Sequence, residues 1–136
     1  MDLQVGRRLT GTEISDLLTE ARSRTLQLTG GLSDEDLRRQ HDPLMSPIVW
    51  DLGHIGHFEE VWLVENLVNG TTGSEGLRGI YNPFENPRGL RDELPLPSRS
   101  ECRDYLHTVR RTVLECLASR DLEADEPLLR DSFVYR

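Results

Sequence analysis

The residues best suited to chemistry are the two histidines of the stretch "HIGHFEE". His54 and His57 are three positions apart, and Glu60 follows after three more. Imidazole and carboxylate groups bind metals in the cores of helical bundles, so this spacing offers an H-x-x-H or H-x-x-E pair on one helix. From the residues alone, a core histidine with a hydrogen-bond partner is the more common explanation of His54. His107 is expected at the surface, and His41, in a turn, could be of either kind.

A second candidate is the arginine pair of "NPRGLR". Arg88 and Arg91 are three residues apart in a segment rich in Gly, Pro and Asn. The planar guanidinium group matches the geometry of a carboxylate, so the pair could clamp an acidic ligand. Solvated loop charge is the more usual outcome for such residues, and the pattern alone leaves both readings open.

The two cysteines give little sign of chemistry. Cys102 and Cys116 are fourteen residues apart in one predicted helix, which corresponds to about 21 Å along its axis. A disulfide needs Cα atoms within about 7 Å, so we expect two reduced, buried thiols, as in a cytoplasmic protein. No histidine base lies near either cysteine in the sequence, and thiol catalysis is not expected.

Length and charge narrow the class of protein. The chain has 136 residues and a net charge of -8, which indicates one domain and disfavours nucleic acid and anionic membranes as partners. No apolar run approaches the roughly 20 residues of a membrane span, and no signal peptide is recognisable. We therefore expect a soluble, cytoplasmic protein.

Helical patterns account for most of the chain. Thr10 and Glu13 have capping-box spacing and open a first helix that ends at Gly30. A later long helix is predicted from Ser98, a cap residue, to about Arg120. Leucine, valine and isoleucine recur along both at the helical period.

The helix between these two carries the histidines. It is predicted to begin at Ser46, as cap, and to run to about Val68. Apolar residues cover most of its circumference and leave only a narrow strip around Gly53 and Glu60 for water. Such a helix is buried on more than one side. Gly53 and Gly56 are unfavourable inside a helix, so we expect them to admit a close neighbouring helix.

The remaining segments complete an all-α prediction. Residues 69–97 lack periodicity, and so long a loop in a compact domain indicates an ordered, functional segment. "LLRDSFVYR", at the end of the sequence, has the pattern of a fourth helix just beginning. The prediction is a four-helix bundle truncated to three long helices plus this start. Its open apolar faces suggest either that another chain supplies the fourth helix, as in a homo-oligomer, or that this sequence is a fragment.

One long motif links the chain to a known family. "DPLMSPIVWDLGHIG", from Asp42 to Gly56, resembles the N-terminal domain of the iron(II)-dependent sulfoxide synthases of ergothioneine biosynthesis, the hercynine oxygenases. The resemblance implies a DinB-like up-down four-helix bundle. It also implies an oxidoreductase that uses non-haem iron and O₂ to join the sulfur of γ-glutamylcysteine or cysteine to hercynine.

The resemblance also assigns roles to residues. His54 matches one of three iron-binding histidines, and Arg88 and Arg91 resemble the pair that binds the carboxylates of the thiol substrate. The other two ligands belong to an H-x-x-x-H-x-E motif on the fourth helix, which these 136 residues do not contain. The family's second domain, related to formylglycine-generating enzymes, is also expected to be absent.

The expectation is therefore one incomplete domain over residues 1–136. Alone it should hold iron weakly and be inactive, with no catalytic residue of its own. Two alternatives stay open at this point. One is a DinB-type metal-dependent thiol transferase, and the other is a non-catalytic bundle fragment that oligomerises.

Overall fold

The computed structural model describes residues 9–65 and 75–119, and every regular element in these two ranges is helical. The all-α prediction is therefore confirmed for this part of the chain. The predicted fourth helix lies outside the described residues. The elements are α1 (Gly11–Thr29), α2 (Asp34–Arg38), α3 (Ile48–Glu59) with a π-helical continuation (Glu60–Glu65), a 3-10 turn (Glu75–Leu77), α4 (Arg78–Tyr81), a 3-10 helix (Arg88–Glu93) and α5 (Arg99–Ser119).

Helix α1 begins and ends as its sequence predicts. The Thr10 hydroxyl accepts from the Glu13 amide at 3.2 Å, and the Glu13 carboxylate accepts from the Thr10 amide at 2.8 Å, which completes the capping box. Gly30 caps the C-terminal end. The apolar face is only partly buried: Ile14 lies in the core, whereas Leu17 and Leu28 are exposed.

The start of α3 differs from the prediction by one residue. Pro47, not Ser46, is the N-cap, and no side chain caps this helix. The physical reason is that the Ser46 hydroxyl is engaged elsewhere, because it accepts from Nη1 of Arg91 at 2.6 Å. The predicted end at Val68 lies outside the described residues.

The orientation predicted for α3 is wrong. Gly53 is buried and Glu60 is only 1% exposed, so the strip assigned to water faces the protein interior. The exposed side of the helix instead carries three large apolar residues, which are Ile55, Phe58 and Trp62. Apolar periodicity misidentified the buried side because nearly every direction around this helix carries apolar residues.

The two glycines explain this orientation. A Cβ atom at Gly53 would lie 2.1 Å from the Tyr81 hydroxyl oxygen, and one at Gly56 would lie 2.7 Å from Cδ2 of Leu106. Tyr81 ends α4 and Leu106 belongs to α5, so each glycine admits a different neighbour. The expected close approach of another helix at these glycines is thereby confirmed, although the contact at Gly53 is with the tyrosine ring.

Helix α5 supplies much of the core against α3. Its first turn is capped by Ser98, whose hydroxyl accepts from the Glu101 amide at 3.2 Å. Cys102 and Cys116 are both buried free thiols, as predicted, and His107 is exposed. The remaining buried residues of the helix are Leu106, Val109, Val113 and Leu117.

A buried ion triad joins the three long helices. The carboxylate of Glu59 in α3 forms ion pairs with Nη2 of Arg22 in α1 at 3.0 Å and with Nε of Arg110 in α5 at 2.7 Å. Nη1 of each arginine also donates to a main-chain oxygen, Arg22 to Leu106 and Arg110 to Leu18. The triad therefore fixes the relative positions of α1, α3 and α5, of which α3 carries His54.

Residues 75–97 of the segment before α5 contain short helices that the sequence pattern did not reveal. Its anchors are Tyr81, which is 1% exposed, and Leu96. Residues 69–74 of the predicted loop lie outside the described ranges. None of the helices described is both long and apolar enough to cross a bilayer.

Candidate functional site

The three candidate site residues line one cavity. It has a volume of about 370 Å³ and lies between α3 and the segment that follows α4. His54 comes from α3, Arg88 and Arg91 come from the 3-10 helix, and the structure brings them to the same space. The cavity is lined by Leu44, Met45, Ser46, Trp50, Asp51, His54, Pro83, Arg88 and Arg91.

The imidazole of His54 has a defined orientation. Its Nδ1 atom lies 3.0 Å from the main-chain oxygen of Tyr81. A carbonyl oxygen can only accept, so Nδ1 must carry the proton in this contact. In the neutral ring the lone pair then lies on Nε2, which is the arrangement found in metal-binding histidines. The residue present therefore fits a metal ligand, and the partly buried ring does not need to rearrange its hydrogen bond.

Trp50 connects the histidine to the arginine side of the cavity. Its ring stacks on His54 at a centroid distance of 4.8 Å and an interplanar angle of 12°. Its Nε1 atom donates to the main-chain oxygen of Ile80 at 2.8 Å. The guanidinium carbon of Arg91 lies 3.7 Å from the centroid of the Trp50 ring. One indole ring thus contacts both the candidate ligand and the candidate anion-binding group.

The two arginines have different environments. Arg91 is 5% exposed and is held by two hydrogen bonds, from Nη1 to the Ser46 hydroxyl at 2.6 Å and from Nε to the Asn86 oxygen at 2.8 Å. Burial, followed by the charge of Arg88, lowers the pKa of Arg91. Arg88 is exposed and donates to the main-chain oxygen of Leu44 at 3.2 Å. The cavity therefore has one fixed and one adjustable positive charge.

Asp51 is a site residue that sequence reasoning missed. It lines the cavity, and loss of hydration raises the pKa of its carboxyl group. A hydrogen bond from Ser46 and the positive charge of Arg91 oppose this shift. An aspartate in the first turn of a helix is commonly explained by the helix dipole, so its position in sequence gives no signal of a site.

The H-x-x-H and H-x-x-E pairs are not assembled around this cavity. His57 is half-buried, with its ring centroid 6.1 Å from that of Tyr81, and Glu60 accepts from the Tyr105 hydroxyl at 3.5 Å. Neither residue lines the cavity with His54. Within residues 9–65 and 75–119, no three His, Cys, Asp or Glu side chains are grouped as a metal site. His54 is thus a single candidate ligand in the part described.

The arrangement suits an anionic ligand beside an imidazole whose Nε2 atom could bind a metal. Two guanidinium groups would hold carboxylate oxygens through charge-assisted hydrogen bonds. The stacked indole and the apolar side chains of Leu44 and Met45 provide surface for an uncharged part of the ligand.

Comparison with known proteins identifies the family of the chain. Residues 17–133 match the DinB superfamily. The chain is 45% identical over 123 residues to a hercynine oxygenase of Mycobacterium tuberculosis, covering 87% of this chain and 27% of that protein. It is 44% identical over 118 residues to the hercynine oxygenase of Mycolicibacterium thermoresistibile, covering 83% and 26%. The identity to that of Mycolicibacterium smegmatis is 41% over 126 residues, covering 89% and 28%. The chain thus spans about a quarter of the length of these relatives.

Proposed function

This chain belongs to the DinB superfamily, and we propose that it is the N-terminal, iron- and substrate-binding part of a hercynine oxygenase. The proposed reaction is the sulfoxide synthesis of the ergothioneine pathway. It joins the sulfur of γ-glutamylcysteine or cysteine to hercynine and consumes O₂. The observation that carries the proposal is the placement of His54, Arg88 and Arg91 around one cavity.

In this proposal His54 is one of three iron-binding histidines. The Tyr81 carbonyl keeps the proton on Nδ1 and leaves Nε2 as the ligand atom. When bound, the iron would supply the redox chemistry with O₂. The other two ligands would come from an H-x-x-x-H-x-E motif outside these 136 residues, because none of the other three histidines, His41, His57 and His107, lines the cavity.

Arg88 and Arg91 would bind the carboxylates of the thiol substrate. Arg91 is already held by Ser46 and Asn86, so its guanidinium plane loses little freedom when a carboxylate binds. Arg88 is exposed and can adjust to the length of the substrate. The pair is compatible with either proposed thiol, and it orients the sulfur-bearing molecule relative to His54.

The 136-residue chain alone should bind Fe(II) weakly and should not turn over. One histidine cannot replace the several convergent ligands that a stable site needs. An anaerobic Fe(II) titration of the isolated chain tests this expectation. Submicromolar binding at one site per chain would contradict the assignment of His54 as one ligand among three.

A cytoplasmic location is part of the same proposal. Cys102 and Cys116 are both free and buried, which is usual for proteins kept in a reducing compartment. Burial raises the pKa of the Cys102 thiol to about 11, so this group is not an activated nucleophile at neutral pH.

An exchange protein tests the function directly. The 123 residues of the Mycobacterium tuberculosis relative that match this chain would be replaced by the corresponding residues of this chain. We expect the exchange protein to form the hercynine sulfoxide product from hercynine, a thiol, O₂ and Fe(II). His54→Ala should abolish turnover, and His107→Ala, at an exposed position, should retain it. A folded exchange protein without activity, or an active His54→Ala variant, would contradict the proposal.

A further inference from the structure

We propose that Asn86 is a positioning residue that couples the buried arginine of the cavity to the imidazole of His54. The inference deepens the proposed function and rests on it, because it concerns the same cavity. A carboxylate bound by Arg91 changes the hydrogen bond of His54 through contacts centred on Asn86. The alternative is that Asn86 only stabilises a local turn, as asparagines often do.

The side chain of Asn86 contacts three main-chain oxygens at the C-terminal end of α4. Its Nδ2 atom lies 2.6 Å from the Gly79 oxygen, 3.2 Å from the Ile80 oxygen and 2.9 Å from the Asn82 oxygen. Carbonyl groups in the last turn of a helix have no intrahelical donor, so an external donor such as this amide fixes them. The amide therefore determines where the end of α4 lies.

The same end of α4 orients two aromatic rings of α3. The Ile80 oxygen accepts from Nε1 of Trp50 at 2.8 Å, and the Tyr81 oxygen accepts from Nδ1 of His54 at 3.0 Å. Two adjacent carbonyls thus hold side chains one helical turn apart. A displacement of α4 would change the hydrogen bond that sets the tautomer of His54.

The main chain of Asn86 contacts the arginine side. Its carbonyl oxygen accepts from Nε of Arg91 at 2.8 Å, and its amide donates to the Asn82 oxygen at 3.1 Å. Arg91 also lies against Trp50, so arginine, asparagine, the end of α4 and the indole form a closed set of contacts. A shift of the guanidinium group towards a bound anion would therefore be transmitted to His54 through Asn86.

Nitrogen NMR of ¹⁵N-histidine-labelled chain tests the coupling, with glutarate as a dicarboxylate probe and no metal present. The His54 signals are assigned with a His54→Asn variant. In the wild-type chain we expect Nδ1 to give the protonated, pyrrole-type signal and to shift as glutarate binds. An Arg88→Ala, Arg91→Lys double variant should lose the glutarate response, which locates the probe at the arginines.

Two asparagine variants separate coupling from turn stabilisation. Asn86→Ala should shift population towards the Nε2–H tautomer of His54, and bound glutarate should no longer move its signals. Asn82→Ala is the matched control, because among the described residues its side chain accepts from the Phe84 amide at 3.0 Å and does not hydrogen-bond to Arg91 or to the end of α4. It should retain both the tautomer and the response. If Asn86→Ala does not fold, the near-isosteric Asn86→Asp, which keeps the main-chain carbonyl and loses the donor, takes its place.

Each outcome decides the inference. It is overturned if the wild-type chain binds glutarate without a response at His54, or if folded Asn86 variants keep the wild-type tautomer and response. Should both Asn86 variants fail to fold, Arg91→Lys decides, because it keeps the positive charge and loses the Nε donor to the Asn86 oxygen. A retained glutarate response at His54 in that variant overturns the coupling. A chain that does not bind glutarate at the arginines counts against the substrate role in the proposed function as well. Binding without a response overturns the coupling only.

Discussion

The Nδ1 atom of His54 lies 3.0 Å from the main-chain oxygen of Tyr81, and this contact determines which ring nitrogen is left for a metal. Because a main-chain oxygen cannot donate, the proton is held on Nδ1 and the lone pair on Nε2. No side-chain substitution at residue 81 removes that oxygen. The orientation of His54 therefore depends on where α4 lies.

Gly53→Ala is expected to displace α4 and to destabilise the chain. The new Cβ would lie 2.1 Å from the Tyr81 hydroxyl oxygen. Overpacking of this kind lowers the unfolding free energy by about 1–3 kcal/mol. Replacing glycine by alanine inside a helix raises it by only about 1 kcal/mol, so over most of that range the net effect is destabilising. Chemical denaturation measures the difference. Gly79→Ala is the control and should be neutral or stabilising, because no described atom beyond its chain neighbours and its own helix backbone lies within 4 Å of the added Cβ. Equal stability of the two variants would contradict the packing seen at Gly53.

Alanine substitutions of the two arginines should differ in their effect on stability, and both should weaken ligand binding. Arg91→Ala removes a buried group with two hydrogen bonds and a ring contact, and should cost about 2–3 kcal/mol of unfolding free energy. Arg88→Ala, at an exposed position, should change stability by less than about 0.5 kcal/mol. Both should weaken glutarate binding in calorimetry. A stable Arg91→Ala variant, or unaltered glutarate affinity in Arg88→Ala, would argue against these roles.

Neutralising the buried triad should be costly. Glu59→Gln leaves Arg22 and Arg110 buried without a negative partner, and removal of one member of a buried ion pair costs about 3–5 kcal/mol. Glu20→Gln is the matched control, since Glu20 pairs with Arg24 at the surface and such pairs contribute at most about 1 kcal/mol. Urea denaturation compares the two. A Glu59→Gln variant as stable as Glu20→Gln would show that the triad does not hold the helices together.

The chain should lose stability in alkaline solution. Burial raises the pKa of the Cys102 thiol from its ordinary value of 9.0 to about 11, and burial also raises the pKa of Tyr81. Above pH 9 the unfolded chain releases the thiol proton while the folded chain retains it, so the unfolding free energy falls as pH rises towards 11. The loss due to Cys102 is of the order of 2 kcal/mol.

Stability curves from pH 8 to pH 11 measure this effect. Cys102→Ala has no thiol proton, so its curve should be flatter in this interval than that of the wild-type chain. Parallel curves for the two proteins would contradict a buried, protonated thiol at Cys102.

Local sequence signals predicted the element boundaries well and the orientation of α3 poorly. The capping residues Thr10 and Ser98 act within one helical turn, so their effect can be read from neighbouring letters. The buried side of α3 depends on where Tyr81 and Leu106 approach it, and both are distant in sequence. With apolar residues on nearly every side, periodicity had no polar face from which to determine the orientation.

The motif residues of the candidate site could be predicted from the sequence, whereas the contacts between them and the rest of the chain could not. His54, Arg88 and Arg91 were selected from sequence, and the structure places all three around the cavity. Asp51 and Asn86 escaped notice because an aspartate in a first helical turn and an asparagine before proline are ordinary local features. Their significance lies in contacts with distant residues, which no single-sequence pattern contains.

Fe(II) binding by the exchange protein tests the central claim most directly. Anaerobic titration would compare the unmodified exchange protein with its His54→Ala and His107→Ala variants. We predict tight binding by the unmodified protein and by His107→Ala. Binding should be weakened by more than about 100-fold in His54→Ala, because even loss of an outer partner of a ligand costs 10–100-fold. Unchanged Fe(II) affinity in a folded His54→Ala variant would contradict the assignment of His54 as an iron ligand.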